Sequence, residues 1–417
     1  MSPNFAQSLA LAALLPLGGG ALAATCGGPA DDRPYSLAIT NTTLGSCATV
    51  DTPTAEKFVD ALKAENLKKT LAGSNTDLDA FNTNANFNSL LTQLVFVENS
   101  SKLNFTIPAL GISKSFTGAT RNDSMELLRD YLETSDVLGR IMNYQAKNSP
   151  FSPITGQNGL IPTAIGSDFD SSFTDVVTHV ATPAAAGQAD SAGNQVQINA
   201  SVGFGKSQSQ DVKFLSLPLS YSFRNDIDPR RQLIVQMPIS YTEIGSAKSI
   251  QGSLGLAYRF PITDQWTVTP NVKYSTVGSA DLATAAAMYS ATLGSAYVMG
   301  FDGFDVAIGN MVGIYKTAKF SADDYTFDPN ITTTGLRNGV MVLQPVNIRG
   351  SKMSMEYSFI DTRYFGDKPF ADNSQEIGIT LGTNKSAFTA RSYLRGGLSY
   401  QTSKSGNFWR LNFGYWF

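Results

Sequence analysis

The chain closes on FWRLNFGYWF, Phe408 to Phe417, and the reading of this stretch decides the fold. Trp409, Leu411, Phe413, Tyr415 and Phe417 share one parity, while Arg410, Asn412 and Gly414 fill the other. A period of two puts the first set on one face of a β-strand and the second on the opposite face. Chain ends are ordinarily frayed and polar, and a solvated end strand with so aromatic a face would aggregate. Something apolar must cover it.

The same period fills everything after Gln195. Val196, Ile198, Ala200, Val202 and Phe204 alternate with Gln197, Asn199, Ser201 and Gly203. Leu215, Leu217, Leu219, Tyr221 and Phe223 alternate with Ser216, Pro218, Ser220 and Ser222, and Leu233 to Tyr241 repeat the pattern. Comparable segments follow near 249–261, 265–277, 286–299, 304–317, 336–348, 351–361, 374–384, 390–402 and 407–417, twelve in all. Each reaches the ~9–11 residues that a tilted strand needs to cross a bilayer. A soluble sandwich would alternate too, with its polar face in water. Three features separate the two: segments longer than the usual ~5–6 residues, aromatics recurring at strand ends, and an even count. The expectation is a mainly β chain, with an antiparallel transmembrane β-barrel of about 12 strands over residues 195–417 behind a small, mainly helical soluble domain.

The terminal stretch, with apolar residues at alternate positions up to Phe417, resembles the β-signal of bacterial outer-membrane barrel proteins. That resemblance implies that Trp409, Leu411, Phe413, Tyr415 and Phe417 are read by the outer-membrane insertion machinery. It implies residence in the outer membrane of a Gram-negative cell. A C-terminal barrel behind a helical candidate and a separate N-terminal segment is also similar to autotransporter translocator domains. Residues 24–194 differ from the long repetitive β-helix that such proteins usually carry.

Residues 1–23 read as a signal peptide: an apolar run from Ser8 to Ala24 contains Ala21-Leu22-Ala23, a cleavage-site pattern. Cys26 and Cys47 are the only cysteines, and in an oxidising compartment they are expected to pair. Residues 24–145 are expected to be mainly helical. Helices are expected after Thr52-Pro53, over Leu78 to Val97, and from Asp123 to Met142, with a hairpin at Leu103–Phe116. Residues 146–194 form a linker rich in Gly, Pro, Ser and Ala, interrupted by a helical candidate at 167–181 that carries Asp168, Asp170, Asp175 and His179.

The net charge of −3 and the 16% charged content argue against a nucleic-acid partner. His179 is the only histidine, so no Ser-His-Asp site can form in the barrel wall. GFGKS at Gly203–Ser207 lacks the first glycine of a phosphate loop and the helix that should follow it. No catalytic constellation, cofactor or metal site is expected.

Parity points Arg259, Lys273, Arg337, Arg391, Arg395 and Arg410 inward, with Asp305, Glu356 and Glu376. Residues 24–194 hold 11 basic and 18 acidic groups, and residues 195–417 hold 20 and 16. An acidic helix at 167–181 is therefore placed either in the basic lumen as a plug or on the soluble domain. Pro218 and Pro238 are expected to meet across a turn near 227–228, as a bulge, a kink or a contact for such a plug. The function expected is an outer-membrane channel or translocator gated by a periplasmic domain or plug helix, with outer-membrane lipid and a periplasmic protein as partners. The alternative is a membrane-anchored interaction protein whose barrel displays loops or tethers the N-terminal domain.

Overall fold

The computed structural model describes residues 26–179, 194–228, 230–322, 325–383 and 393–416. The expected signal peptide, Arg391, Phe417 and residues 180–193 of the linker lie outside the described residues, as does the side chain of His179.

The N-terminal domain comprises six strands and four helices. The strands are β1 (Tyr35–Asn41), β2 (Ser46–Thr52), β3 (Phe81–Phe87), β4 (Leu90–Phe96), β5 (Leu103–Ile107) and β6 (Ile112–Phe116). They form one antiparallel sheet in the order β2-β1-β3-β4-β5-β6. The helices are α1 (Ala55–Ala61), α2 (Ala64–Thr70), α3 (Arg121–Thr134) and α4 (Val137–Asn148). The expectation of a mainly helical domain is thus corrected to a mixed one. The helix expected over Leu78–Val97 is the β3–β4 hairpin, turned by Asn88 and Ser89 at φ 51° and 67°, the signature of a tight two-residue hairpin turn. Its strands bury Phe81, Thr83 and Ala85 while Asn82 and Asn84 face outward.

The hairpin expected at Leu103–Phe116 is present as β5–β6. The helix read as running from Asp123 to Met142 begins two residues earlier, at Arg121, and is broken at Ser135–Asp136 into α3 and α4. Thr120 Oγ1 accepts from the Asp123 N–H (3.2 Å), and Asp123 accepts from the Thr120 N–H (2.8 Å), a reciprocal cap. The first helix is capped by Thr54 rather than Thr52 because β2 runs through Thr52. Cys26 and Cys47 form the expected disulfide, which ties the start of the domain to β2.

Beyond the domain, twelve strands close a barrel. They are β7 (Gln195–Ser207), β8 (Gln210–Arg224), β9 (Gln232–Ile244), β10 (Ala247–Pro261), β11 (Trp266–Ser279), β12 (Thr284–Phe301) and β13 (Phe304–Ala318). After a small hairpin, β14 (Phe320–Ala322) and β15 (Tyr325–Phe327), come β16 (Thr332–Ile348), β17 (Ser351–Gly366), β18 (Asn373–Thr383), β19 (Tyr393–Ser403) and β20 (Gly406–Trp416). Closure is the pairing of β20 with β7, from Gly406↔Ser207 to Trp416↔Gln197. The terminal stretch therefore seals the barrel as well as ending it.

Alternation follows the sequence. Leu215, Leu254, Leu293, Ile314, Ile377 and Phe413, from six different strands, are each at least 50% exposed on the outer face. An apolar surface running round the whole wall marks a membrane-spanning barrel. Pro218 stands opposite Pro238, and both line the interior. The ladder between β7 and β8 skips two positions and resumes in the same register, Ile198↔Leu219 to Ser201↔Ser216. There is no bulge: a missing N–H opens the ladder locally without adding a residue.

The domain sits on one mouth of the barrel. The Ala55 N–H donates to Asp281 O (2.8 Å), and Asn143 Nδ2 donates to Pro329 O (2.7 Å). Ser209 Oγ donates to Asp32 O (2.8 Å), and the domain core continues onto Ala247 and Leu282 of the rim. This mouth carries the connections at 208–209, 280–283 and 367–372, and the 319–331 segment with its hairpin. β7 starts and β20 ends at the opposite mouth.

Candidate functional site: the occupied lumen

Residues 160–179 occupy the barrel interior. Helix α5 (Leu160–Phe169) runs into a π-helical turn at Asp170–Thr174 and then into α6 (Asp175–His179). The helix starts seven residues before the expected Ser167, because Pro162 falls in the first turn, where a missing N–H costs nothing. Gly166 has open space around it. The segment before it, 149–160, is buried throughout, with Phe151 packed among Val212, Phe214, Ile244 and Phe408.

One side of the helix is apolar. Ile161, Ile165, Phe169, Phe173 and Val177 pack with Met288, Ala296, Ala307, Met311, Tyr315 and Met341 of the wall. Here the wall is hollowed by glycines. A Cβ at Gly335 would lie 2.7 Å from Ile165 and one at Gly339 2.8 Å from Phe169, and Gly309 and Gly294 are likewise filled by Phe173 and Ser172.

The acidic residues meet the cationic wall. Asp168 and Lys273 form a fully buried ion pair at 2.5 Å. Asn271 Nδ2 (2.8 Å) and the Tyr315 hydroxyl (3.1 Å) also donate to Asp168. Asp175 accepts from Gln197 Nε2 (3.1 Å). Arg259 donates to the Ser171 carbonyl (2.9 Å), and Gln236 Nε2 donates to Ser171 Oγ (2.6 Å). Arg337 pairs with Glu376 (3.0 Å) and lies over the Phe169 ring at 5.3 Å. Arg395 pairs with Glu356. Arg410 donates to Asn158 Oδ1 (2.7 Å) and lies against the rings of Phe214 and Phe408, at 5.2 and 5.5 Å from their centroids.

Thus Lys273 and Arg259, together with Asp168 and Asp175, are brought together at the helix, and Arg337 reaches it through the Phe169 ring. Asp170 lines the space beside the helix. Asp305 shares the inward parity with Ala307 but lies next to Gly300, near the mouth where β7 begins. Sequence reasoning missed Asn158, Ser171, Asn271 and Tyr315. It also missed the glycines, whose signal was legible: Gly294, Gly309, Gly313, Gly335 and Gly339 fall on the inward parity of three neighbouring strands.

On the polar side a cavity of ≈ 190 Å³ runs from Leu160 to Asp175, lined by Asn199, Ser216, Arg337, Glu376 and Asn412 among others. It has room for water but is smaller than the ~300 Å³ at which small-molecule pockets begin. At the domain end, Lys147 pairs with Asp367 (2.8 Å), which also accepts from the Thr332 N–H (2.8 Å). Burial pushes the Asp367 carboxyl up, but the Lys147 ammonium and the Thr332 N–H outweigh it and hold it below the usual carboxylate range.

No family model matches the chain, and no curated protein matches it. Among solved structures, the chain is similar to the β domain of the Bordetella autotransporter BrkA, at 12% identity and a TM-score of 0.40, over 54% of this chain and 98% of that one. It is similar to the translocator domain of the autotransporter NalP from Neisseria meningitidis, at 12% identity and a TM-score of 0.43, over 62% and 95%. It is also similar to an outer membrane channel from Pseudomonas putida F1, at 14% identity and a TM-score of 0.36, over 54% and 93%.

Proposed function

We propose that the protein is a translocator-type outer-membrane anchor that holds its own N-terminal domain over one mouth of a barrel closed by its own helix. The observation that carries this reading is the path of the chain. The domain sits on the mouth bearing the 319–331 segment, residues 160–179 fill the lumen, and β7 starts at the other mouth. Outer-membrane barrels keep short turns on the periplasmic side and long loops outside. With β7 and β20 ending on the periplasmic side, the domain stands outside the cell. Under this reading the N-terminal domain is the exposed, partner-meeting part of the protein, in place of the periplasmic one expected from sequence. The outward face of β20 (Trp409, Leu411, Phe413 and Tyr415) meets lipid and serves the insertion machinery. The chain carries out no reaction.

A membrane-impermeant amine reagent applied to intact cells tests this. Lys57, Lys63 and Lys68 of the domain are expected to label without permeabilisation. Labelling only after the outer membrane is opened would overturn the reading. A second reading, a channel that opens when the helix leaves, is favoured by the polar cavity beside the helix and by Arg337, Arg395 and Arg410 along it. It predicts a cationic pore that prefers anions once the helix is gone.

A further inference from the structure

We propose that a glycine hollow in the barrel wall and two phenylalanines of the lumen helix form an axial lock, which fixes how far the chain is threaded through the barrel. The inference rests on the display reading above and deepens it, by naming what stops the chain at one depth. Ala296, Gly309 and Gly339 stand side by side on β12, β13 and β16, and Gly313 and Gly335 stand side by side on β13 and β16. Phe173 fills the hollow at Gly309, Phe169 that at Gly339 and Ile165 that at Gly335, with the two phenylalanine rings 5.1 Å apart. The π-helical turn follows Phe169 and contains Phe173, so the helix is widest where the wall is deepest.

The opposite side is held at the same level. Gln236 grips the Ser171 hydroxyl and Arg259 the Ser171 carbonyl, while Lys273 holds Asp168. A slip of one residue moves a helix by about 1.5 Å and turns it by about 100°. It would carry both rings out of the hollow and towards a wall of Ser, Gln and Arg side chains, and it would part Asp168 from Lys273. Only one threading depth satisfies all of these contacts.

Cysteine pairs read the depth in the full-length protein. Ser171→Cys with Gln236→Cys reports the native register, and Asp175→Cys with Gln236→Cys reports a shift of one turn. The first pair is expected to cross-link and the second not. In Phe169→Ala/Phe173→Ala the first yield is expected to fall several-fold and the second to rise, while Ile161→Ala, on the same face but outside the hollow, keeps the native pattern. An unchanged pattern in the double variant overturns the lock. Hydrogen exchange on the unaltered protein gives a reading free of folding defects. The amides of 168–174 are expected to exchange at least about tenfold more slowly than those of 160–166, and equal rates overturn the lock. A domain that labels only in permeabilised cells, with the first cross-link intact, overturns the display reading while supporting the lock.

Discussion

Asp168 and Lys273 show what the lumen demands of single residues. Both are fully buried, and removing one partner of such a pair strands a charge where water cannot reach it. Lys273→Met is expected to cost about 3–5 kcal/mol, measured by denaturant unfolding in detergent micelles, and Asp168→Asn added to it should recover most of that loss. No recovery would mean that the lysine acts through packing alone. At the rim, Lys147 and Asp367 join the domain to the barrel under a different rule. The Asp367 carboxyl titrates below its ordinary value while docked. Its contribution to docking is therefore complete above the ordinary carboxylate pKa of about 3.9 and is lost as pH falls through the lower, docked value. Exchange protection along α4 should weaken in that acidic window, and Asp367→Asn should weaken it at neutral pH and remove the acid dependence.

Among the elements, the wall strands and the lumen helix fit as knob and hole. Gly339→Ala would set a Cβ 2.8 Å from the Phe169 ring and is expected to destabilise the protein by about 1–3 kcal/mol. Gly252→Ala, which meets nothing within 4 Å, should stay within about 0.5 kcal/mol. The same unfolding assay separates them, and equal effects would deny the fit.

The strands were legible because a wall between lipid and water enforces a strict period of two, so all twelve could be counted. The β3–β4 hairpin was not. Leu78, Phe81, Leu90, Leu91 and Leu94 satisfy helical spacing as well, and the Asn88-Ser89 turn lacks the glycine that usually announces such a hairpin. The acidic residues of the lumen helix were legible as a charge complement. Their partners Asn271, Tyr315 and Ser171 were not, because neutral hydrogen-bonding groups leave no mark in a charge pattern.

For the whole molecule, the terminal stretch has two roles. Its outer side chains face lipid, and its backbone closes the barrel against β7. Around that closed wall the chain threads once, with a folded domain at one mouth and the strand termini at the other. Beside the helix the lumen keeps a polar cavity of ≈ 190 Å³. The measurement that tests this account most directly is single-channel recording of the full-length protein in a planar bilayer, beside a variant lacking residues 160–179. The account predicts a full-length protein that is closed to salt at low voltage and a shortened protein that conducts steadily. A full-length protein that conducts as well as the shortened one would contradict it.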